Sequence, residues 1–299
     1  MPAAEFEVTE DLVRSLLNAQ HPDLAERPLT LVANGWDNVI YRLGADLVVR
    51  LPRRRLGADL VRHEHRWLPD LARRLPIPIA APLRTGVPAH GYPWHWSICA
   101  WFDGAVAADG TLADPAAEAR RLGEFVAAFH QPAPPDAPDN PFRGQPIGDL
   151  RPRIIANIDR LGAAIDEGLV TDRVADLCEV EEWTGPPVWL HGDLHSANIV
   201  VRDGTIVAVL DLGDLTSGDP ACDLAVAWML FDEEERAVFR RAAGVRDPVD
   251  DGTWRRGQIW ALHFALLYLL HSADSARFAR MGAHLLSEVA GPMALRRQG

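Results

Sequence analysis

Hydrophobic and polar positions in the N-terminal third of the chain alternate between helical and strand-like spacing. Hydrophobic residues recur at helical spacing over residues 5–20 and again over 59–75. Between these segments, residues 28–52 contain three short hydrophobic runs separated by the turn-forming sequences NGWDN and GAD. A further run at 92–102 is typical of a buried strand. This order predicts a small antiparallel sheet with one inserted helix, preceded by an N-terminal helix.

Helical spacing dominates the rest of the chain. It predicts helices over five stretches, which are residues 115–131, 149–168, 171–183, 219–244 and 252–290. A proline-rich segment at 132–141 is too stiff and polar for a core, so we expect a loop there. Hydrophobic runs on both sides of Arg202-Asp203-Gly204 predict one β-hairpin within this helical region.

The change of pattern after residue 102 predicts two domains. We expect residues 1–102 to form a small β-rich lobe that includes the N-terminal helix. Residues 103–299 should form a larger, mainly helical lobe that carries the hairpin. The predicted fold class is therefore α+β with two lobes.

Composition restricts the class of partner. Among the 299 residues are 42 acidic and 30 basic residues, and the net charge is −12. This charge argues against nucleic acid and anionic membranes as general partners. The sequence contains no lysine, so a site that needs a permanently cationic side chain must use arginine.

Cysteine usage and the N-terminus bear on location. The three cysteines show no metal-ligand spacing, and the acidic N-terminus lacks an apolar signal segment. The most apolar stretch, residues 259–272, is short and contains two histidines, so it predicts a buried helix rather than a membrane span. We therefore expect a cytoplasmic protein that is a monomer or a weak dimer.

The sequence HGDLHSAN at 191–198 places several polar groups between two hydrophobic runs. Asp193 lies in the loop, Asn198 at its far end, and Asp211 on the partner strand of the predicted hairpin. The hairpin can bring Asn198 and Asp211 together, and a carboxylate with an amide oxygen suits Mg²⁺. Asp193 can then orient and deprotonate a hydroxyl. The alternative is a polar turn in which these residues have ordinary turn roles.

Three sequence blocks carry a family resemblance. HGDLHSAN, VLDLGD and GDPACDLA, in this order, resemble the aminoglycoside phosphotransferase (antibiotic kinase) family, a branch of the protein-kinase-like fold. The resemblance extends from about Leu29 to about Phe231. It implies that Asp193 is the base and that Asn198 and Asp211 hold Mg²⁺. It also implies ATP or GTP as phosphate donor and a small-molecule hydroxyl as acceptor, and makes the N-terminal lobe the nucleotide-binding one.

Four neighbouring residues are expected to be structural. His191 and His195 lack the further ligands that a zinc site needs, and we expect His191 to hydrogen-bond within the loop. Asp223 either caps the helix that it begins or, by the resemblance, lies buried beneath the loop and holds its backbone. Asp219 is treated in the same way.

The third predicted strand, LVVRLP, contains Arg50 where the resemblance implies a lysine that grips the nucleotide phosphates. Glu64 in RHEHRW is its natural partner on the following helix. Arginine stays charged and bonds phosphate bidentately, so an arginine clamp is feasible. The alternatives are a degraded site and a surface strand residue.

Two further segments are candidates for nucleotide binding. NGWDN joins the first two strands, and by the resemblance Asn34, Trp36 and Asn38 face the phosphates. A plain hairpin turn is the alternative. CAWFD at 99–103 is the expected hinge, where Trp101 or Phe102 lines the base pocket or packs between the lobes.

The acceptor is left open by the sequence. Carboxylates that could attract a polycation are Asp159, Asp166, Glu167, Asp214, Asp232 and Glu233–Glu235. Aromatic residues that could form a wall for a sugar or macrolactone are Trp254, Trp260, Phe264 and Tyr268. Solvated helix faces and core packing are the ordinary roles of these two groups. The leading hypothesis is a kinase for an aminoglycoside-type or macrolide antibiotic. A metabolite kinase and a nucleotide-binding pseudokinase are the alternatives.

Overall fold

A computed structural model of the protein describes residues 3–35 and 37–296. The chain forms two compact units. The first contains Met1–Asp103 together with Ala208–Gly213. The second contains Gly104–Val207 and Asp214–Gly299. A short segment after the hairpin turn therefore belongs with the N-terminal residues.

The first unit contains a five-stranded antiparallel sheet in the order β1-β2-β3-β5-β4. Its strands are β1 (Leu29–Asn34), β2 (Asn38–Leu43), β3 (Leu47–Pro52), β4 (Pro82–Gly86) and β5 (Trp96–Ala100). Its helices are α1 (Glu10–Gln20) and α2 (Arg55–Ala72), with a 3₁₀ turn at Pro22–Leu24. The predicted three-strand meander is present, and Gly44 makes the tight turn between β2 and β3 at φ 68°.

Helix α1 begins at Glu10, so the predicted start at residue 5 is wrong. Thr9 is the N-cap, and its hydroxyl accepts a hydrogen bond from the Leu12 backbone at 3.3 Å. The hydrophobic Phe6 that suggested an earlier start instead packs edge-on against Tyr92, with ring centroids 5.3 Å apart. A tertiary contact therefore produced part of the apparent helical pattern.

The other predicted boundaries in this unit also shift. Helix α2 covers Arg55–Ala72 instead of the predicted 59–75, so both of its ends lie earlier than predicted. The predicted strand at 92–102 is reduced to β5. Strand β4 was not predicted. It lies at the edge of the sheet, where three of its five residues are exposed, so it lacks the alternation of a half-buried strand.

The second unit is mainly helical. Its helices are α3 (Pro115–Phe129), α4 (Ile147–Leu161), α5 (Glu167–Leu177), α6 (Ala221–Leu224), α7 (Val226–Leu230), α8 (Glu233–Ala243), α9 (Asp251–Leu270) and α10 (Ala276–Ala290), with 3₁₀ turns at Gly162–Ala164 and Ser196–Asn198. Its strands are β6 (Ala105–Val106), β7 (Val188–Leu190), β8 (Ile199–Arg202), β9 (Thr205–Val209) and β10 (Thr216–Gly218). The last residues of β9 run into the first unit. The α+β fold class with a sheet-containing and a helical part is confirmed.

Polar caps divide the longer predicted helices of this unit. Ser275 caps α10 by accepting a hydrogen bond from the Phe278 backbone at 3.3 Å, so 252–290 is two helices. The stretch 219–244 contains three helices, and Asp232 caps the last of them. Gly162, at φ 47°, follows the end of α4.

Helix α9 is hydrophobic on nearly all sides and forms the centre of the helical packing. Trp260 and Phe264 are fully buried, and α9 packs against α4, α6 and α10. Among the described residues, no helix has the length and hydrophobicity needed to cross a membrane. The strongly apolar stretch is thus a core helix of the second unit.

The predicted hairpin connects β8 and β9 through Asp203 and Gly204. Both turn residues have positive φ, 52° and 76°, which matches a two-residue turn suited to strand twist. Strand β6 pairs with β8 on the edge opposite to β9. The short strand β7 pairs separately with β10, so the loop that follows Leu190 starts from a paired strand.

Candidate active site

The loop between β7 and β8 is held from below by Asp223 of α6. Its carboxylate is almost completely buried and accepts hydrogen bonds from the backbone N–H groups of His191 at 2.8 Å and Gly192 at 2.9 Å. His130 Nε2 lies 3.2 Å from the same carboxylate. Asp223 therefore has a structural role. Of its two predicted roles, the structure shows the one in which it holds the backbone of this loop.

Contacts within the loop restrict its shape further. His191 Nδ1 accepts a hydrogen bond from the Asp193 N–H at 3.3 Å, and His195 Nδ1 accepts one from Ala197 at 3.1 Å. The Asn198 side chain donates to the Asp193 carbonyl at 3.0 Å. Three side chains thus bond to the loop backbone, which presents the Asp193 carboxylate in a defined place.

Both oxygens of the Asp193 carboxylate contact cationic or potentially cationic groups. Oδ1 accepts a hydrogen bond from Arg143 Nη2 at 3.0 Å, and Oδ2 lies 3.3 Å from His195 Nε2. Burial alone would raise the pKa of Asp193, but His195 and Arg143 outweigh it and hold this pKa well below its usual range. Asp193 is therefore ionised at neutral pH. His195, expected to be purely structural, contacts the candidate base.

Arg143 is the main site residue that the sequence analysis missed. It follows the proline-rich loop, and its Nη2 also lies 3.1 Å from Asp214 Oδ2. Asn140 donates to the other Asp214 oxygen at 2.9 Å. Burial works against the charged guanidinium, but Asp193 and Asp214 raise the pKa of Arg143 above its ordinary value. No local pattern marks this residue, because its partners are distant in sequence.

In the first unit, Arg50 and Glu64 form a buried bidentate pair. The two bonds measure 3.0 Å and 3.1 Å, and the residues are only 7% and 1% exposed. Burial disfavours the charge on Arg50, but Glu64, Cys99 and Asp211 raise its pKa above the ordinary value. Asp211 Oδ1 lies 3.9 Å from Arg50 Nη2. The structure thus brings three predicted site residues together, and Arg50 is not a surface strand residue.

Asp211 lies beyond the end of β9, so its predicted position on the partner strand is wrong. Its backbone is left-handed, with φ 56°, and its side chain is 62% exposed. A left-handed backbone cannot continue a strand, which explains why β9 stops before this residue. Such conformations are concentrated at functional sites. The carboxylate is accessible.

The loop predicted to cover the phosphates is only partly described, because Trp36 lies outside the described residues. Asn34 Oδ1 accepts a hydrogen bond from Arg53 Nη1 at 2.7 Å. Asn38 accepts a backbone bond from Gly35 at 2.9 Å, and its Oδ1 is buried with no hydrogen-bond partner among the described residues. Arg53 is a second cation beside this loop that the sequence analysis missed.

Asp37 in the same loop bonds to Arg54 Nη1 at 3.2 Å. Burial raises the pKa of Asp37, and the nearby Asp211 carboxylate adds to this rise. The loop thus contains a carboxylate next to a predicted metal ligand. The sequence analysis assigned no role to Asp37.

Trp101 follows β5 and is half-buried. Its indole N–H donates to Asp103 Oδ1 at 2.7 Å, and the Arg42 guanidinium lies 4.7 Å from its ring centroid. Arg42 also contacts Asp103 at 3.2 Å. These contacts fix the ring in the first unit.

The predicted acceptor residues have different environments. Asp166 and Asp232 cap helices by accepting hydrogen bonds from Leu169 and Glu235, both at 3.0 Å. Among the candidate carboxylates, Asp214 is the one that shares Arg143 with Asp193. The aromatic residues Trp260, Phe264 and Tyr268 are buried in α9.

Two of these aromatic rings border the candidate base. The Arg143 guanidinium lies 5.2 Å from the Phe264 centroid, and the His195 ring lies edge-on to Tyr268 at 5.7 Å. Each ring therefore lies beside one of the two side chains that contact the Asp193 carboxylate. Among the described residues, Trp260, Phe264 and Tyr268 therefore do not form an exposed aromatic wall.

A cavity of about 270 Å³ lies in the second unit beside the 3₁₀ turn of the loop. Its lining includes Ala107, Ala108, Ser196, Met229, Met281 and His284. Arg280 lies at the same cavity and donates to Asp109 Oδ1 at 2.8 Å. The lining is mixed, because alanine and methionine side chains lie beside a hydroxyl, an imidazole and a guanidinium.

Over residues 3–35 and 37–296, no cluster of three His, Cys, Asp or Glu side chains could hold a metal ion. The predicted magnesium ligands differ from such a cluster, because one is an amide and the other a single carboxylate. Asn198 uses its amide N–H toward Asp193, which leaves its Oδ1 available. Asp211 offers an exposed carboxylate. This oxygen-only donor set suits Mg²⁺, which keeps water and phosphate oxygens as its other ligands.

A family-level sequence comparison matches residues 28–260 to APH, the phosphotransferase enzyme family. The match covers most of the chain. The protein belongs to the phosphotransferase enzyme family. The resemblance drawn from the three sequence blocks is thereby confirmed, as is the prediction that the chain is an enzyme of phosphotransferase type.

Solved structures of phosphotransferases share the fold. The GDP and kanamycin complex of APH(2")-IIia has a TM-score of 0.68 and 20% identity, over 92% of this chain and 97% of that one. The streptomycin–ATP–APH(2")-IIa ternary complex has a TM-score of 0.59 and 15% identity, covering 97% and 100%. Macrolide 2'-phosphotransferase MphH from Brachybacterium faecium has a TM-score of 0.57 and 25% identity, covering 93% and 98%. No curated protein sequence matches the chain.

Predicted site residues therefore meet in two groups, one within each unit. Arg50, Glu64 and Asp211 meet in the first unit, whereas Asp193, His195 and Asn198 meet in the second. Asn34 and Trp101 contact other residues of the first unit instead of these clusters. The named members of both groups were predicted from the sequence, His195 as a structural residue, whereas Arg143, which contacts Asp193 from outside a regular element, was not.

Proposed function

We propose that this phosphotransferase transfers the γ-phosphate of a nucleoside triphosphate to a hydroxyl of a small-molecule antibiotic of aminoglycoside or macrolide type. The observation that carries the proposal is the ionised Asp193 carboxylate on a loop whose backbone is bonded by Asp223. Family membership supplies the reaction class. The similar structures include kanamycin and streptomycin complexes and a macrolide phosphotransferase, which supports the acceptor class.

Asp193 acts as the base in this proposal. Each carboxylate oxygen has two lone pairs, so its contacts with Arg143 and His195 leave further acceptor capacity for an acceptor hydroxyl. The hydroxyl oxygen forms a bond to the γ-phosphorus as the bond to the β-phosphate oxygen breaks. The hydroxyl proton passes to Asp193, and the nucleoside diphosphate leaves.

Asn198 and Asp211 are the proposed ligands of Mg²⁺. Their support is the free amide oxygen of one and the exposed carboxylate of the other. When bound, Mg²⁺ neutralises charge on the phosphate oxygens.

The first unit is proposed to bind ATP or GTP. Arg50 uses two N–H groups on Glu64, and its other donors can bond phosphate oxygens. Asn34, Trp36, Asn38 and Trp101 are the further proposed nucleotide contacts. The similar structures include a GDP complex and an ATP complex, which supports a nucleoside triphosphate donor.

The acceptor is proposed to bind in the second unit, at the cavity beside Ser196. Its volume of about 270 Å³ accommodates part of a sugar-containing ligand. A mixed lining of methionine, serine and histidine suits a molecule with both apolar and hydroxyl-bearing faces. We also propose that the protein acts in the cytoplasm as a monomer or weak dimer, without nucleic acid or membrane partners. Three free cysteines and the net charge of −12 support this.

A metabolite hydroxyl, on an amino sugar or amino alcohol, is the second candidate acceptor. The observation in its favour is that Asp166 and Asp232 serve as helix caps while Asp214 pairs with Arg143. Three of the candidate carboxylates therefore already have partners within the protein. A compound with one or no positive charge needs fewer of them.

The test is nucleotide turnover against a panel of aminoglycosides, macrolides and metabolites, with release of the nucleoside diphosphate as readout. We expect stimulation by an antibiotic and a loss of about 100- to 10,000-fold in kcat for Asp193→Asn. Asp193→Asn should still bind nucleotide, which a fluorescent nucleotide analogue measures. Stimulation by metabolites alone would replace the antibiotic assignment. The absence of turnover with every acceptor, together with unchanged binding in the variant, would indicate a pseudokinase.

A further inference from the structure

Arg143 joins two carboxylates that belong to different segments of the second unit. Its Nη2 donates to Asp193 Oδ1 at 3.0 Å and lies 3.1 Å from Asp214 Oδ2. The side chain of Arg143 is 16% exposed, against 24% for Asp193 and 31% for Asp214. One mostly buried guanidinium therefore compensates two partly buried negative charges.

The segment that carries Arg143 is packed tightly against the strand before the loop. Gly144 has φ 63°, and a Cβ at this position would lie 2.5 Å from Leu190 Cδ1. Gly218 is equally close to it, since a Cβ there would lie 2.4 Å from the Gly144 carbonyl oxygen. Such distances require glycine at both positions. The backbone next to Arg143 is thus fixed relative to the strand pair β7–β10.

Asn140 ties the same segment to Asp214. Its side-chain N–H donates to Asp214 at 2.9 Å, and its Oδ1 accepts from the Phe142 backbone at 2.9 Å. The Asn140 carbonyl accepts a hydrogen bond from Gln145 Nε2 at 2.7 Å. The Asp214 carboxylate is held on one oxygen by Asn140 and on the other by Arg143. A connected polar network of this kind fixes the orientation of each member.

We propose that Arg143 is a positioning residue for the base, because it holds one oxygen of the Asp193 carboxylate while Asp214, itself held by Asn140, holds the guanidinium. His195 restrains the other oxygen. A carboxylate on a two-bond side chain otherwise rotates freely about its last torsion, and proton transfer needs a defined direction toward the hydroxyl. The inference rests on the proposed function, since it concerns the role of Asp193 in the same reaction.

Substitution of Arg143 alone would leave two partly buried carboxylates uncompensated and so carries a folding penalty. The double variant Arg143→Met/Asp214→Asn removes one positive and one negative charge together. It should therefore fold even if Arg143→Met does not. Arg143→Lys keeps the charge but replaces the planar fork with a point charge.

A matched control is available on α4. Arg153 donates to the Pro141 carbonyl at 2.8 Å, and its guanidinium lies 5.4 Å from the Phe142 ring. It thus contacts the same segment as Arg143 through a backbone bond and an aromatic ring, and bonds to neither carboxylate. Arg153→Met tests whether loss of any arginine from this region has the same effect.

The first measurement is a crystal structure of the wild type and of the double variant. We expect the Asp193 carboxylate to turn or to occupy more than one rotamer in the variant, while the backbone of residues 190–198 stays in place. An unchanged, singly occupied Asp193 rotamer in the variant would overturn the proposal. This arm needs no turnover, so it remains decisive even if the proposed function fails.

The second measurement is steady-state kinetics with the acceptor that the panel identifies. We expect the double variant to lose about 10- to 100-fold in kcat, with the acceptor KM changed less than about threefold. Arg143→Lys should recover part of this loss, and Arg153→Met should equal the wild type. A loss in Arg153→Met as large as in the double variant, or a change confined to KM, would contradict a positioning role. If the wild type showed no turnover with any acceptor, that result would instead count against the proposed function.

Discussion

The two units each use one buried arginine to organise carboxylates, but they do so in different ways. Arg50 and Glu64 lie on β3 and α2, are 14 residues apart, and form a closed bidentate pair. Arg143 and Asp193 lie in two irregular segments, 50 residues apart. The Arg143 guanidinium contacts Asp214 as well as Asp193. A pair on regular elements follows from element order, whereas a network of loops depends on how those loops pack.

The Arg50–Glu64 pair is less exposed to solvent than the Arg143 network, so it should cost more free energy to break. In Glu64→Gln we expect the free energy of unfolding to fall by about 3–5 kcal/mol, because the buried Arg50 charge loses its compensating carboxylate. Urea denaturation followed by tryptophan fluorescence measures this. Asp46→Asn is the control, since Asp46 pairs with Arg27 at the surface and should cost less than about 1 kcal/mol. A small loss in Glu64→Gln would mean that Arg50 finds another partner.

Each cluster also has a histidine near it, His263 buried and His65 half-buried, and acid should affect both. Burial, with smaller contributions from Arg143 and Arg153, lowers the pKa of His263 to about 3 from an ordinary 6.5. Burial and the nearby His95 lower the pKa of His65 to about 4. Between these values and 6.5 only the unfolded chain binds the proton, so stability falls as the pH drops below about 6.5.

Replacing His263 isolates the contribution of the second unit. In His263→Leu we expect the loss of unfolding free energy between pH 6.5 and 4 to shrink by about 3 kcal/mol, because the titrating group is gone. Denaturation at a series of pH values gives the slope for variant and wild type. Equal slopes in the two proteins would show that His263 is protonated in the folded state.

The same amide substitution in the second cluster should have a smaller effect. In Asp214→Asn we expect a loss of about 1 kcal/mol, because Arg143 keeps Asp193 as a partner and the Asp214 side chain is 31% exposed. Denaturation beside Glu64→Gln compares the clusters directly. A loss as large as that of Glu64→Gln would remove the contrast between a closed pair and a shared network.

Arg50→Lys sharpens the comparison on the functional side. Lysine keeps the charge but loses one of the two bonds to Glu64, so we expect less than about a tenfold change in the KM for the nucleotide. Nucleotide titration in the turnover assay measures it. Arg50→Ala should raise this KM much further. No effect of Arg50→Ala would exclude Arg50 from the nucleotide site.

Much of the first unit could be predicted because its elements alternate with clear turn residues. The meander over 28–52 follows from short, regular spacing, and the partner of Arg50 follows from the family resemblance. The failures have tertiary causes. Phe6 belongs to the core without being helical, and β4 lies exposed at the sheet edge where no alternation is required.

The candidate site shows the same division. HGDLHSAN and the segment after β9 were recognisable because one loop supplies several functional groups at fixed spacing. The left-handed backbone of Asp211 was not, because strand-like residues surround it and φ is not visible in residue types. The environment of Asp193 was equally hidden, since Arg143 precedes it by 50 residues.

The sequence by itself determined the strand meander over 28–52, the hairpin turn at Asp203-Gly204, the HGDLHSAN motif and the use of arginine in place of lysine throughout. These features depend on neighbouring residues, whose spacing and backbone preferences act locally. Tertiary structure alone decided where Arg143 bonds, where β9 stops and which carboxylates serve as caps or ion-pair partners. Those outcomes depend on contacts between distant segments, because hydrogen bonds and charge pairs form wherever packing brings their groups within reach.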